Sequence, residues 1–269
     1  MRRGSSFGAV AAAYAEHRPD YPEAAVRWCL EPALSAAPGR DVSRLRVLDL
    51  GAGTGKLTAL LAGLGADVTA VEPDPAMLAE LRRLVPGVRV LPGTAEAIPL
   101  PDGSVDAVLC GQAMHWFDMN RAVPEIARVL SRRGVLAGLW NCDDDRVEWV
   151  AGLQAVAKGA SSASLSTRRA EAADFDLDQY GAAAFARAER AEFGNGQRRT
   201  AGSLLATVAT HSRVLVMAPE ERDRLLAGVR GYLAARPETS DGEFTLPMIT
   251  VALRVVRRAV ALSPQAPGL

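Results

Sequence analysis

The chain of 269 residues has little of what marks several protein classes. Its only lysines are Lys56 and Lys158, and 31 basic residues balance 31 acidic ones, so the formal net charge is +0. Without an excess of positive charge, neither a nucleic acid nor an anionic membrane surface is expected as a partner. No run of apolar residues approaches the ~18 that a membrane-spanning helix requires, so a membrane is not expected as a partner on that ground either.

Cysteine is also scarce. Cys29, Cys110 and Cys142 are odd in number and far apart, which excludes a disulfide framework and a CxxC metal site. No spacing of His, Cys and Asp indicates a metal, and no G-x-S-x-G motif indicates a hydrolase. Free cysteines are typical of a reducing compartment, so a cytoplasmic protein without a bound metal is expected.

Strand and helix signals alternate through the middle of the chain, which predicts an α/β protein with a parallel sheet covered by helices. Helix signals separate the apolar runs, for example Asp74 as a cap before Pro75. The predicted strands cover residues 46–50, 67–71, 88–91, 104–110, 135–140, 185–193 and 244–256.

The most informative segment is Val-Leu-Asp-Leu-Gly-Ala-Gly-Thr-Gly at residues 47–55. An apolar run ends in Asp49, glycines follow at 51, 53 and 55, and the next apolar run ends in Glu72. Glycine lets the backbone pass close beneath a ligand, where a Cβ would collide with it. An acid at the end of the second strand can accept hydrogen bonds from both hydroxyls of a ribose. The segment therefore predicts a site for a nucleoside cofactor.

Two other glycine-rich loops are excluded by spacing. A dinucleotide fingerprint beginning at Gly51 needs glycine at position 56, which is Lys56. A P-loop ending in Gly55-Lys56 needs glycine at position 50 and Ser or Thr at 57, where the chain has Leu50 and Leu57. The motif instead resembles motif I of the class I S-adenosylmethionine-dependent methyltransferases, whose cofactor carries no phosphate. A degenerate NAD or nucleotide site is the other class left open.

This resemblance implies a Rossmann-like methyltransferase fold, a doubly wound, seven-stranded and mostly parallel sheet, with a helical cap. It divides the chain into an N-terminal lid (1–33), a cofactor-binding core (34–141), a cap insertion (142–182) and a segment that completes the sheet (183–260). The loop after the third strand holds the adenine in this family. Thr94 stands where many relatives carry Asp, which leaves Glu96 and the backbone of Ala95 as the expected contacts.

Two further strings resemble the small-molecule subset that includes the trans-aconitate type. After the fourth strand, Gly111 allows close approach to the methionine arm of the cofactor, and the following His-Trp-Phe-Asp contains His115. That histidine is either a general base or a residue that holds its loop. Near the N-terminus the resemblance places Tyr14 and Arg18 by the cofactor carboxylate, with a surface helix as the alternative. The cofactor contacts implied are Tyr14, Arg18, Asp49, Gly51, Ala52, Gly53, Glu72, Pro73, Thr94, Ala95, Glu96, Cys110, Gly111 and Gln112.

The expected reaction is transfer of the methyl group of S-adenosylmethionine to an O, N or C nucleophile of a small organic molecule. Its product is S-adenosylhomocysteine. Alignment of nucleophile and methyl, with water excluded, should supply much of the catalysis. The alternative is an enzyme of the same fold that binds the cofactor without methylating, such as a cyclase. The sequence does not decide the acceptor or the oligomeric state.

Overall fold

A computed structural model describes residues 19–36, 39, 41–160, 175–181, 183–209, 214 and 216–259. Within these ranges seven strands form one sheet in the order β3-β2-β1-β4-β5-β7-β6. The strands are β1 (Arg46–Leu50), β2 (Asp67–Glu72), β3 (Arg89–Pro92), β4 (Val105–Gly111), β5 (Leu130–Asp143), β6 (Glu189–Thr200) and β7 (Glu243–Val256). The described helices are α1 (Glu23–Ser35), α2 (Lys56–Gly63), α3 (Pro75–Leu84), α4 (Met119–Val129), α5 (Glu148–Ala160), α6 (Asp178–Gly181), α7 (Ala201–Ala209) and α8 (Pro219–Ala234).

The sheet is mostly parallel. Strands β1 to β5 pair in parallel, whereas β7 runs antiparallel to both β5 and β6. The strand order reverses between β1 and β4, and ligands of open α/β sheets bind at such a reversal, beyond the carboxyl ends of the strands. The predicted α/β class and the seven-stranded, mostly parallel sheet are confirmed.

Two strands differ from their predicted bounds by more than one residue. β5 covers Leu130–Asp143 rather than 135–140, with a register shift against β4 between Val105 and Ala107. β6 begins at Glu189 rather than 185, because Phe185 makes only an isolated bridge to Arg257, and it continues to Thr200. Since β6 is an edge strand with only a half-buried inner face, its second half is too polar for an apolar pattern to reveal.

Apolar side chains cover both faces of the sheet. On one face α1 and α2 pack against β1, β4 and β5, and on the other α4 packs against β1, β4, β5 and β7. Helix α1 lies inside the range predicted as a lid, yet Val26, Cys29 and Leu30 belong to the core. Packing therefore fixes α1 in place, and the division into lid, core, cap and completion stays a prediction.

A layer of helices, here called the cap and formed by α5, α7 and α8, stands on a projection of the sheet, and two of these three helices lie outside the predicted insertion of residues 142–182. β5 ends at Asp143, opposite Met248, whereas residues 243–247 of β7 continue to pair with residues 196–200 of β6. Helices α5, α7 and α8 pack around Phe244, Leu246 and Met248 in a hydrophobic cluster of their own. Because β5 points its carboxyl end toward this projection, the cap stands at the edge where ligands of such sheets bind.

None of the described helices is both long and apolar enough to cross a membrane.

Candidate cofactor site

Glycine conformation shapes the loop after β1. Gly51, Gly53 and Gly55 have φ of +73°, +56° and +92°. Residues other than glycine rarely adopt this left-handed backbone conformation. The N–H groups of Gly51 and Ala52 both donate to the carbonyl of Val71 at the end of β2, at 2.9 and 3.1 Å. The loop is thus held against β2 and turns directly into α2.

Glu72 joins the loop to the start of α3. Its carboxylate accepts a hydrogen bond from the N–H of Gly53 and another from the N–H of Asp74, each 3.0 Å long. Asp74 in turn caps α3 by accepting from Ala76 and Met77. Burial raises the pKa of Glu72, the two N–H donors oppose this rise, and the charge of Asp74 adds to it. An acceptor-rich carboxylate therefore stands next to the glycine loop at the end of β2, with Pro73 exposed beside it.

Asp49 lies beneath the same loop. One carboxylate oxygen accepts a 2.6 Å hydrogen bond from the hydroxyl of Thr58 on α2. The other, Oδ1, is buried and has no hydrogen-bond partner among the described residues. Burial raises the pKa of Asp49 to about 7, the Thr58 bond opposes this, and the charge of Glu72 adds to it. An orphaned oxygen of this kind fits a ligand that brings an N–H donor or a cationic group.

The space around the glycines separates their roles. A Cβ on Gly51 would lie 2.7 Å from Cβ of Ala113 and close to the ring of Phe117, and one on Gly55 would lie 2.9 Å from Cγ of Leu81 on α3. A Cβ on Gly53 would meet only Sδ of Met77, at 3.9 Å. Packing within the protein therefore requires Gly51 and Gly55, whereas room in front of Gly53 stays open for a ligand.

Gly53→Ala is expected to weaken S-adenosylhomocysteine binding at least about tenfold, because the new methyl group occupies the space of the ligand. Its folding cost should be only about 1–2 kcal/mol, from the positive φ. Gly103→Ala is the matched control, since Gly103 has φ +62° and no atom within 4 Å of an added Cβ. Calorimetric titration and urea unfolding of both variants test this. Equal affinities would show that no ligand approaches Gly53.

The loop after β3 is tied to the segment after β4. Oε1 of Glu96 accepts a 2.9 Å hydrogen bond from the N–H of Asp118. Burial raises the pKa of Glu96, but this bond and others outweigh burial and hold the pKa below its ordinary value. Ala95 is buried and Thr94 half-buried, and Thr94 forms an isolated bridge with Ala97. Glu96 thus joins the loop after β3 to the segment after β4, and its contact with an adenine stays a prediction.

The residues at the end of β4 face different ways. The thiol of Cys110 is fully buried in the hydrophobic core, and burial raises its pKa well above the ordinary value. Only the backbone of Cys110 is available to a ligand. Gln112 has φ 54°, and its side-chain amide donates a 2.8 Å hydrogen bond to the carbonyl of Asn141 on β5. That amide, predicted to bind cofactor, binds the neighbouring strand here.

His115 lies on a single 3-10 turn, Met114–Trp116, beyond the end of β4. Its ring is exposed and lies 5.0 Å from the ring of Trp116, which is 48% exposed. Met114 is buried and anchors the turn in the core. The geometry places His115 at the ligand edge of the sheet, and its role as a base stays a prediction.

The large apolar side chains near the end of β5 and in the cap are mostly packed. Trp140 is buried in the core and contacts Phe175, Trp149 is buried in the cap cluster, and Met217 packs against that cluster. Tyr180 is 37% exposed. Tyr14 and Arg18 lie outside the described residues.

One set of contacts at the site was not predicted from the sequence, although the segment that makes them lies in the predicted lid (1–33). The short segment of residues 19–22, here named the strap, runs across the carboxyl edge of the sheet before α1. Asp20 forms a 2.8 Å ion pair with Lys56, the residue after the glycine loop. The side-chain amides of Asn141 and Asn195 donate to the carbonyl of Asp20, at 3.2 and 2.9 Å. No local signal announces these contacts, because Asn195 is 175 residues away in sequence.

Among the described residues no group of three or more His, Cys, Asp or Glu side chains is arranged to hold a metal ion. The donors and acceptors that do converge at the ends of β1, β2 and β4 are backbone amides and two carboxylates. These features define an α/β protein whose candidate ligand site lies at its topological switch point.

Comparison with known proteins identifies the family. A family profile described as a methyltransferase domain matches residues 48–138. An uncharacterised methyltransferase of Mycobacterium bovis is 40% identical over 250 residues, which is 93% of this chain and 94% of the relative. Malonyl-[acyl-carrier protein] O-methyltransferase of Methylococcus capsulatus is 37% identical over 140 residues, 50% of this chain and 49% of the relative. The solved structure of a proposed type II methyltransferase from Anaeromyxobacter dehalogenans superimposes with a TM-score of 0.61 at 26% identity, covering 90% of this chain and 97% of that one.

The chain therefore belongs to the class I S-adenosylmethionine-dependent methyltransferases. The predicted enzyme class is confirmed.

Proposed function

We propose that the protein binds S-adenosylmethionine across the ends of β3, β2, β1 and β4 and methylates a small organic molecule at an O, N or C nucleophile. The observation that carries the proposal is the pair of acids at the glycine loop. Glu72 presents a carboxylate at the end of β2, and Asp49 keeps one oxygen without a hydrogen-bond partner among the described residues. These are a hydroxyl-binding and a cation-binding group at the ends of two neighbouring strands, the two kinds of group that a nucleoside joined to an amino acid would need.

The residues present fit this cofactor. Glu72 would accept from the ribose hydroxyls, Gly53 would allow the backbone to approach, and the loop at Thr94, Ala95 and Glu96 would hold the adenine. When bound, S-adenosylmethionine supplies an electrophilic methyl group on a sulfonium, with a neutral thioether as leaving group. The protein then has to align the acceptor and exclude water. His115 would remove a proton where the acceptor arrives protonated.

The acceptor would lie between the end of β5 and the cap. Asp143 is buried at this edge, and Gln154 of α5 donates to its carboxylate at 3.3 Å. A relative over half of the chain is named as an O-methyltransferase of a malonyl group, so carboxylic acids come first in an acceptor screen. The non-methylating alternative is not favoured, because the relatives compared are named as methyltransferases.

Isothermal titration with S-adenosylhomocysteine is the decisive test, with NAD as the control ligand. We expect one-to-one binding of S-adenosylhomocysteine and no heat from NAD, because the loop lacks the third glycine of a dinucleotide fingerprint. Binding of NAD in its place would overturn the proposed cofactor. Absence of both would mean that the glycine loop has a structural role only.

A further inference from the structure

A group of polar side chains, two of them buried and one half-buried, interrupts the apolar inner surface of the sheet at its carboxyl edge. Asn141 on β5, Thr250 on β7 and Asn195 on β6 lie on neighbouring strands and face the same side. The hydroxyl of Thr250 donates to Oδ1 of Asn141 at 2.5 Å, and the amide of Asn195 donates to the same oxygen at 3.2 Å. Burying polar groups is unfavourable unless they are hydrogen-bonded, so such a network requires a reason.

The remaining hydrogen bonds of this network go to the strap. The amide of Asn141 donates to the carbonyls of Pro19 and Asp20 at 3.3 and 3.2 Å, and the amide of Asn195 donates to the carbonyl of Asp20 at 2.9 Å. On its other side the strap is held by the ion pair between Asp20 and Lys56. Two strands, β5 and β6, and the start of α2 thus fix two consecutive residues of an otherwise irregular segment.

The strap places Tyr21 at the carboxyl edge of the sheet, where a ligand is expected. A Cβ on Gly111 would lie 2.5 Å from the hydroxyl oxygen of Tyr21 and 2.9 Å from its Cζ. The phenol therefore lies directly against the backbone of Gly111, and only glycine there leaves room for it. Gly111 ends β4, the strand that adjoins β1 at the reversal of strand order.

The order of strands indicates which part of a bound cofactor would reach Tyr21. Under the proposed function, on which this inference rests, adenine lies at the end of β3 and ribose at Glu72 on β2. The rest of the molecule must then extend over β1 toward β4. Strands are about 4.8 Å apart, so the end of β4 is roughly 10 Å from that of β2. This is the reach of the thioether and amino-acid group.

We propose that Tyr21 is a binding residue for the amino-acid group of the cofactor, and that Asn195 is a positioning residue that acts through the strap. A phenol hydroxyl can donate to a carboxylate or accept from an ammonium group, and both are present in an α-amino acid. Asn195 holds the carbonyl of Asp20, one residue before Tyr21, and so sets where the phenol stands.

The test compares two ligands that differ only in this group. S-adenosylhomocysteine carries the amino acid, whereas 5′-methylthioadenosine has the same adenine, ribose and thioether without it. The quantity measured is the affinity for S-adenosylhomocysteine divided by the affinity for 5′-methylthioadenosine. Calorimetric titration gives the first affinity, and displacement gives the affinity of the weaker ligand. Loss of one hydrogen bond to a charged group should lower this ratio about tenfold in Tyr21→Phe, with 5′-methylthioadenosine binding unchanged.

Two more variants separate binding from folding. Tyr232→Phe also removes one phenol hydroxyl, which donates to the carbonyl of Trp149 in the cap, and should leave the ratio unchanged. Asn195→Ala should lower the ratio about threefold, and the double variant with Tyr21→Phe should be no weaker than Tyr21→Phe alone, because both act through one contact. An unchanged ratio in Tyr21→Phe, an equal loss for both ligands, or additive effects would overturn the inference. Absence of S-adenosylhomocysteine binding by the unaltered protein would overturn the proposed function itself.

Discussion

Asp49→Asn is expected to stabilise the ligand-free protein at pH 8 and to weaken its affinity for S-adenosylhomocysteine. Burial, aided by the charge of Glu72, raises the pKa of Asp49 to about 7 in the folded protein. Between about pH 4 and 7 the folded state therefore holds a proton that the unfolded state has lost. Stability conferred by that proton is present at acidic pH and is lost as the pH rises through about 7.

The gain in stability expected for Asp49→Asn follows from the difference between the pKa values of Asp49 in the folded and unfolded states. Each pKa unit corresponds to about 1.4 kcal/mol, so the ionised, buried carboxylate costs the folded state up to about 4 kcal/mol above pH 7. Asparagine carries no charge and escapes this cost. In the complex the ionised carboxylate is favourable, because the Oδ1 of Asp49 would accept a hydrogen bond from a cationic amino group of the ligand. Loss of that charged hydrogen bond should weaken binding about 10–100-fold.

Urea unfolding at pH 5 and pH 8 measures the first effect, and calorimetric titration at pH 8 the second. Asp106→Asn is the matched control. Asp106 is also buried, but its hydrogen bonds and ion pair with Arg46 outweigh burial and hold its pKa below the ordinary value. Asp106→Asn should therefore destabilise the protein at pH 8 and leave affinity unchanged. An Asp49→Asn protein less stable than the unaltered one at pH 8 would contradict the assignment of a raised pKa.

The parts of the fold and site that the sequence predicts are those encoded locally. Asp49, the three glycines and Glu72 lie within 24 residues, on two strands that pair in parallel and in the loop that follows the first of them. The two apolar runs predict buried parallel strands, and glycine predicts the turn between strand and helix, so the residues that end the strands are expected at one edge. The same holds for α3, whose cap Asp74 and first residue Pro75 are consecutive in sequence.

What the sequence did not predict depends on contacts between distant segments. The strap meets Asn141 and Asn195 across 121 and 175 residues, and neither asparagine has a neighbour that marks it. The direction of Gln112 depends on the neighbouring strand, because its amide binds the carbonyl of Asn141. The long second half of β6 is stabilised by pairing with β7 and not by its own apolar residues, so an alternating pattern was too weak to show it.

Glu72→Gln is expected to weaken S-adenosylhomocysteine binding about 100-fold, the largest loss predicted for a single side chain. The carboxylate would accept from the ribose hydroxyls, and charged acceptors make hydrogen bonds of about 1.5–3 kcal/mol each. An amide of the same shape replaces one acceptor by a donor. Titration of the variant measures the loss. Glu80→Gln on the neighbouring α3 is the control, because Glu80 pairs with Arg83 and should not affect affinity.

The stability of this variant distinguishes the two acids. Glu72 holds the N–H groups of Gly53 and Asp74, so Glu72→Gln should cost the ligand-free protein about 1–3 kcal/mol through an unsatisfied donor. Asp49 makes no such bond to the loop, and its neutral variant should gain stability. Opposite changes in stability with parallel losses of affinity would show that Glu72 builds the loop as well as binding the ligand, whereas Asp49 is kept at a cost to folding for its ligand alone. Destabilisation by both variants would mean that the two acids share a structural role.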